Sequence, residues 1–245
     1  MKEQISFEKK ENPRVLLGRL TVLRHSKTKY TEKYPDLTDE GMELAQKRAK
    51  EITEKHKSSK GEEELFFVSS PRPRAEATLD QVKDSFGEGK ETHFSDSIRA
   101  FDLNNKELVK EWFVEISNNY QNPENFAKIV KEDERFENRP DVVEPQSNVR
   151  KRASRAIEFL IRSFDKNLTN KIPHVFAASH FEVISPLVFE IFDLEITKDN
   201  ILDYVEDVDI DFEYSLDKSK VPMTVSFRGE KRQVVFDRDT REINF

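Results

Sequence analysis

Two apolar runs early in the chain end in the same way. Thr21-Val22-Leu23 stops at Arg24-His25-Ser26-Lys27-Thr28, and Leu65-Phe66-Phe67-Val68 stops at Ser69-Ser70-Pro71-Arg72-Pro73-Arg74. Both runs are short and rich in β-formers, so each reads as a buried strand that delivers a basic cluster into a loop. A helix pattern follows each one. Met42, Ala45, Ala49 and Ile52 share one face of the first helix, and Ala75, Leu79, Val82 and Phe86 share one face of the second. Thr38 stands at the N-cap of the first, with Asp39 and Glu40 where the helix dipole favours acids. Pro71 and Pro73 suit the entry to the second. A repeated strand, basic loop and helix predicts a parallel sheet built from right-handed crossovers. Ligands of such sheets bind beyond the carboxyl ends of the strands, where the basic clusters lie.

The pattern recurs once more. Val175-Phe176-Ala177-Ala178-Ser179-His180 is an apolar strand ending in a histidine, and Ile184, Leu187, Val188 and Ile191 mark the helix after it. The helix before it carries Val149, Ala153, Ala156, Leu160 and Phe164 on one face, with Ser147 as its expected cap. Residues 92–98 read as a further strand. About 103–146 the composition changes, and Val109, Trp112, Phe113 and Ile116, then Phe126, Ile129 and Val130, predict a helical insert broken by a loop at Asn118, Asn119, Asn122 and Pro123. From about 207 to 245 the period becomes two. Val208, Ile210, Phe212, Tyr214 and Leu216 alternate with Asp207, Asp209, Asp211, Glu213 and Ser215. This row lacks the glycine that a calcium loop needs for its turn, so it reads as a strand with a solvated acidic face. Met223, Val225 and Phe227 repeat the alternation before a turn at Arg228-Gly229. The expected architecture is α/β: one 1–245 domain of three α/β/α layers, with a mostly parallel central sheet, a helical insert and a C-terminal β-hairpin.

Composition narrows the function classes. At 245 residues the chain can bury a sizeable core, and its formal charge of −7 disfavours nucleic-acid backbones and anionic membranes as partners. It contains no cysteine, which removes disulfides, thiolate metal sites and a cysteine nucleophile. The five histidines (His25, His56, His93, His174, His180) show no zinc-type spacing. Met1 to Arg14 is charged throughout and no stretch has the length of a transmembrane helix, so a cytoplasmic location is expected. Oligomeric state is not legible.

Taken together, the strand ends resemble the histidine phosphatase superfamily, the group of phosphoglycerate mutases and related phosphatases. Arg24-His25-Ser26-Lys27-Thr28 is similar to its Arg-His-Gly-x-Thr signature, with serine in place of glycine. Leu37-Thr38-Asp39-Glu40-Gly41 resembles its Leu-Thr-x-x-Gly helix start, and the segment from Ser69 to Thr78 its Ser-Ser-Pro-x-x-Arg-Ala-x-x-Thr. Ala178-Ser179-His180 stands where the second histidine lies. Ser147 and Arg155 loosely resemble the family's Gly-Glu-Ser and downstream arginine, with Gln146 at the glutamate's place. The resemblance covers Arg19 to about Val188.

The resemblance implies a phosphomonoesterase with no cofactor and no metal, acting on a small phosphorylated substrate. His25 is the implied nucleophile, and Arg24, Arg74 and a protonated His180 surround the phosphoryl oxygens. Thr28 is an expected phosphate contact, as are Ser26 and Thr31 in the same loop, with Arg99 and Arg72 as further anion contacts. The family's general acid lies in a Leu-x-Glu-x-x-x-Gly segment, whose nearest equivalent is Ile98-Arg99-Ala100-Phe101-Asp102, so Ala100 occupies the acid's place. Glu182 is the first replacement candidate, because a distant branch, the inositol polyphosphate phosphatases, uses a His-x-Glu arrangement. Asp102 is the second. Phosphoglycerate mutase-type phosphotransfer and a phosphate-binding pseudoenzyme stand as alternatives. Trp112, Phe113, Tyr120 and Phe126 of the insert are expected to be core residues or to shape a substrate pocket.

Overall fold

The computed structural model describes residues 15–57, 61–116, 122–167 and 169–244. One eight-stranded sheet organises them, in the order β3-β2-β4-β1-β5-β6-β7-β8. Its first half is parallel: β1 (Leu16–Arg24) pairs with β4 (Ile172–Ser179), β4 with β2 (Glu63–Ser69), and β2 with the short β3 (Thr92–Phe94). The strand expected through residue 98 is shorter than its pattern suggested, because the chain turns into a single 3₁₀ turn at Asp96–Ile98.

Helices α1 (Asp39–Lys55) and α2 (Pro73–Phe86) cover one face. Between them and the sheet lies a core of Leu23, Ala45, Ile52, Phe67, Leu79 and Phe176. Helices α6 (Gln146–Asp165) and α7 (Phe181–Phe192) cover the other, over Leu20, Val22, Ile161, Ile184 and Val188. Thr38 caps α1 through its hydroxyl, which accepts the Gly41 N–H at 2.9 Å. Pro145, not Ser147, holds the N-cap position of α6, and the Ser147 N–H goes to Glu137.

The insert folds as α3 (Lys106–Ile116), α4 (Pro123–Glu132) and the single turn α5 (Arg135–Asn138). A β-bridge between Leu103 and Val143 joins its two ends. Trp112 and Phe113 are buried in its own apolar cluster with Phe136 and Val143. Tyr120 lies outside the described residues.

The expected C-terminal hairpin, turning at Arg228-Gly229, is part of a longer antiparallel run. β5 (Asp207–Glu213) adds antiparallel to β1, and β6 (Lys220–Phe227), β7 (Glu230–Asp237) and β8 (Glu242–Asn244) extend the same sheet. The alternation ends at Glu213, and Leu216 is fully exposed in the following turn. Nor is the acidic row simply solvated. Asp209 accepts from Thr21 at 2.7 Å and pairs with Lys55 at 2.6 Å, while Asp207 pairs with Lys55 and Arg48, and Asp211 with Arg19. The network continues inward, from Thr21 to His174 (2.9 Å), to the buried Glu63 (2.8 Å) and on to Arg19 (2.6 Å). It ties β1, β2, β4, β5 and the end of α1 into one register. Removing the acceptor of a buried donor leaves that donor unsatisfied, which costs about 1–3 kcal/mol. Asp209→Ala, which strips the buried Thr21 hydroxyl of its acceptor and half-exposed Lys55 of a partner, should therefore destabilise the protein by about 1–3 kcal/mol in urea unfolding, beyond the loss from Glu213→Ala at the strand's end. Equal small losses in both would contradict this account.

Candidate active site

Parallel pairing of β1 with β4 sets the site. Leu23 lies opposite Ala178 and Arg24 opposite Ser179, so the residues that follow, His25 and His180, leave the sheet side by side. Their ring centroids are 5.0 Å apart. The His25 N–H donates to the Ser179 carbonyl at 3.0 Å, which fixes the spacing from the backbone. The next strand end, Ser70 after β2, brings a hydroxyl within 2.7 Å of His180 Nε2. Arg74 comes from the first turn of α2. The structure thus brings Arg24, His25, Arg74 and His180 together, each less than a tenth exposed.

His25 Nδ1 lies 2.7 Å from the Ser26 carbonyl. A carbonyl only accepts, so Nδ1 carries the proton and Nε2 keeps its lone pair. Burial holds the His25 pKa well below the usual histidine range, and Arg74 and Arg24 add to that depression. Burial does the same to His180, reinforced by His25, Arg74, Arg72 and Arg152. Burial first, and the neighbouring cations second, thus favour the neutral form of His180 over the protonated form expected from the sequence, and a bound phosphate dianion would oppose the cations' share.

Arg24 is fixed from below. It donates to the Leu202 carbonyl at 2.6 Å and stacks over the rings of Tyr204 (4.0 Å) and Phe181 (5.1 Å). Its Nε and the Nε of Arg74 have no partner among the described residues. Buried guanidinium N–H groups left without acceptors are the condition for taking an anion. On the open side Arg74 faces Glu32 at 3.2 Å, and Arg72 meets the same carboxylate at 3.3 Å. Glu32 holds a left-handed backbone (φ 55), as do Tyr30 and Asp36 in the same loop. Such φ values are uncommon in non-glycine residues and keep this loop curled over the arginines.

The remaining expected contacts brace that loop. Thr28 donates to the Asp36 carbonyl at 2.6 Å, and the Thr31 N–H and hydroxyl both go to the Asp36 carboxylate, at 2.6 and 2.9 Å. Ser26, fully buried, donates its hydroxyl to the Gly41 carbonyl at 2.6 Å and its backbone N–H to the Thr78 hydroxyl oxygen at 3.0 Å. Its backbone is outside the left-handed region, so a Cβ is tolerated there. Gly41 explains its own place in the motif: a Cβ there would overlap the Lys27 carbonyl and push the loop after β1 away from α1. None of these hydroxyls is turned freely toward the two histidines.

Glu182 and Asp102 part ways. Burial raises the Glu182 pKa, while its own N–H, the Phe101 N–H and the charges of Arg74 and Arg24 oppose the rise. Its carboxyl therefore lies beside the segment in which Ala100 replaces the family's acid. Asp102 turns outward, pairs with Arg99 at 2.8 Å and is half exposed. Arg99 is held by Asp102 and Glu144, and Arg152 donates to Glu144 and to the Ser97 carbonyl. Arg155, the arginine expected there, is exposed, while Arg152 is the α6 arginine that packs against Glu144. The sequence reading missed Glu32, Asp36, Glu144, Arg152 and Tyr204. The resemblance around Gln146-Ser147 pointed to Arg155, three positions past the arginine that packs against Glu144.

The sequence model of the histidine phosphatase superfamily (branch 1) matches residues 20–209. This chain belongs to that superfamily. No curated protein matches the sequence. Solved structures of similar fold include a mycobacterial glucosyl-3-phosphoglycerate phosphatase in complex with inorganic phosphate, at 18% identity and TM-score 0.57 over 87% of this chain and 97% of that one. A structure named mycobacterial hydrolase 2 aligns at 17% identity and TM-score 0.59, covering 91% and 94%. A phosphoglycerate mutase from Bacillus anthracis str. Sterne aligns at 14% and 0.52, covering 89% and 91%. At these identities the likeness is one of fold. No helix among the described residues is long and apolar enough to cross a membrane.

Three buried histidines, His25, His174 and His180, have folded pKa values below the ordinary 6.5. Between 6.5 and those lower values the unfolded chain binds more protons than the folded one, so stability rises with pH there. The urea midpoint should be highest above pH 7 and fall as pH drops from 6.5 toward 5. His174→Gln should flatten part of that slope. A midpoint constant across this range would contradict the neutral, buried assignment.

Proposed function

We propose that the protein is a phosphomonoesterase that works through a phosphohistidine at His25. The observation that carries the reading is the Nδ1–H to Ser26 carbonyl bond, which leaves Nε2 as a fixed lone pair among two desolvated arginines and His180. In the first step Nε2 attacks phosphorus in line, the N–P bond forms and the P–O bond to the alcohol breaks. Arg24, Arg74 and His180 offset the charge on the equatorial oxygens, so catalysis is mostly positioning and electrostatics. The leaving alkoxide takes a proton from Glu182. In the second step water attacks phosphorus and gives a proton to the Glu182 carboxylate, the N–P bond breaks, and inorganic phosphate is released with His25 and the Glu182 acid both restored.

Two observations support Glu182 in the acid role: its carboxyl lies beside Phe101, next to the place of Ala100, and burial pushes its pKa up against the opposing pull of the Phe101 N–H, Arg74 and Arg24. Asp102 is tied to Arg99 at the surface and is the weaker choice. The guanidinium groups take the part that a metal ion plays elsewhere, so the activity is metal-independent and acts on a small phosphorylated substrate without a cofactor. The insert, 103–146, belongs to the same single domain and overhangs the strand ends as a cap.

His25→Ala should abolish hydrolysis of phenyl phosphate, and acid-labile, alkali-stable phosphate should be recoverable from quenched wild type only. Activity should survive EDTA and fall with vanadate. General acids contribute about 10²–10⁴-fold. Glu182→Gln should therefore lose about 10²-fold or more on an alkyl phosphate and far less on an aryl phosphate, whose leaving group needs little help. Equal losses on both esters would remove Glu182 as the donor, and normal turnover by His25→Ala would remove the nucleophile.

A further inference from the structure

The two imidazoles at the reacting centre are each tied at one nitrogen, and not at the same one. His25 is held at Nδ1 by the Ser26 carbonyl. His180 is held at Nε2, where the Ser70 hydroxyl lies at 2.7 Å, and its Nδ1 is buried without a partner among the described residues. A carbonyl only accepts, which places the proton of His25. A hydroxyl both donates and accepts, so the proton of a neutral His180 depends on where Ser70 sends its own.

The surroundings of Ser70 leave it one direction. The residue has no exposed surface, and His180 is 1% exposed. The Ser70 N–H donates to the Ala178 carbonyl at 3.0 Å, which fixes the residue against the end of β4. Its carbonyl accepts from the Ser69 hydroxyl, and its Oγ accepts the Arg72 N–H at 3.4 Å. Among the described residues, His180 Nε2 is the acceptor within reach of the remaining hydroxyl proton. Sent there, that proton completes every polar group of Ser70. The reverse arrangement, Nε2–H to Oγ, strands a buried hydroxyl proton, which folded proteins avoid. A neutral ring that accepts at Nε2 carries its own proton on Nδ1. In the sheet β4 stands between β2 and β1. The nitrogens of an imidazole point away from each other, so a ring that turns Nε2 to the end of β2 turns Nδ1 toward the side of β1, where His25 lies 5.0 Å away.

We propose that Ser70 is a positioning residue: its hydroxyl donates to His180 Nε2, keeps the single proton of the neutral ring on Nδ1, and so makes His180 a hydrogen-bond donor to the phosphoryl oxygens without a second proton. Burial, with His25, Arg74, Arg72 and Arg152 facing the ring, works against that second proton. One neutral histidine then presents a lone pair and its neighbour an N–H. The role in turnover rests on the phosphomonoesterase reading; the tautomer does not, and the test separates them.

Nitrogen-15 NMR of the histidine-labelled wild type at pH 8, with His180 assigned by its loss in His180→Gln, reads the tautomer directly. Nδ1 should carry the proton and Nε2 should be bare, and the reverse overturns the proposal whether or not any ester is turned over. Ser70→Ala should move a large share of that proton to Nε2; an unchanged Nδ1–H would remove Ser70 as its cause. Losing a preorganised donor costs about 10²–10³-fold in kcat, and Ser70→Ala removes only the bias toward it. Its kcat/KM on phenyl phosphate should therefore fall about tenfold at pH 8. Imidazolium has an N–H at both nitrogens, so the loss relative to wild type should shrink severalfold by pH 6. An equal loss at both pH values marks a merely structural role and overturns the assignment. Where wild type turns over no ester, the phosphatase reading fails and the spectrum alone upholds or overturns the tautomer. The wild-type spectrum likewise decides should Ser70→Ala not fold.

Discussion

The pairing of β1 with β4 is the constraint on which the site depends. Because the strands are parallel and in register at Leu23–Ala178 and Arg24–Ser179, both chains leave the sheet at the same level. His25 and His180 are 155 residues apart in sequence, yet their rings stand 5.0 Å apart without any direct hydrogen bond between them. The crossover through α1 and α2 then places Ser70 and Arg74 around the same point. Parallel sheets produce such a convergence because every strand points the same way.

The convergence concentrates positive charge in a place with little water. Arg24 and Arg74 lie under a tenth exposed, and burial first, with the arginine charges adding to it, pushes the pKa of both histidines down. Around this centre the protein supplies partial compensation: the Leu202 carbonyl and the Tyr204 ring under Arg24, and Glu32 and the buried Asp36 beside Arg74. A site built this way is preorganised for an anion, since its donors are already desolvated and need little rearrangement to bind one. The loop that holds Glu32 is itself braced by Asp36, which gathers Thr28 and Thr31. Hydroxyls that a motif assigns to phosphate are engaged here in shaping the loop.

Away from the site, a second polar network fixes the other side of the same strands. Glu63, His174, Thr21 and Asp209 run across the sheet under the end of α1. Buried polar chains of this sort contribute little net stability against apolar packing, but they penalise any other register. The site's geometry is thereby held from behind as well as by the backbone ladder.

Much of the architecture was legible because it follows from local pattern. The strand, basic loop and helix order predicted the parallel core, and Thr38, Pro73 and the alternation around Val208 marked elements whose determinants lie within a few residues. Arg24, His25, Arg74 and His180 were legible for the same reason: each follows a strand or opens a helix. What the sequence could not decide was the direction of side chains whose partners are distant. Asp102 and Glu182 were both open as acids until the fold turned one toward Arg99 and buried the other beside Phe101. Arg152 and Arg155 differ by three positions on α6, and only packing exposes one and draws the other to Glu144. The acidic row of β5 gave a strand by its period, but its ion pairs with α1 required the antiparallel docking of β5 on β1. Periodicity and capping are encoded over a turn or two of chain. Charge pairing and burial depend on residues brought together from across the sequence, and only the tertiary structure sets those distances.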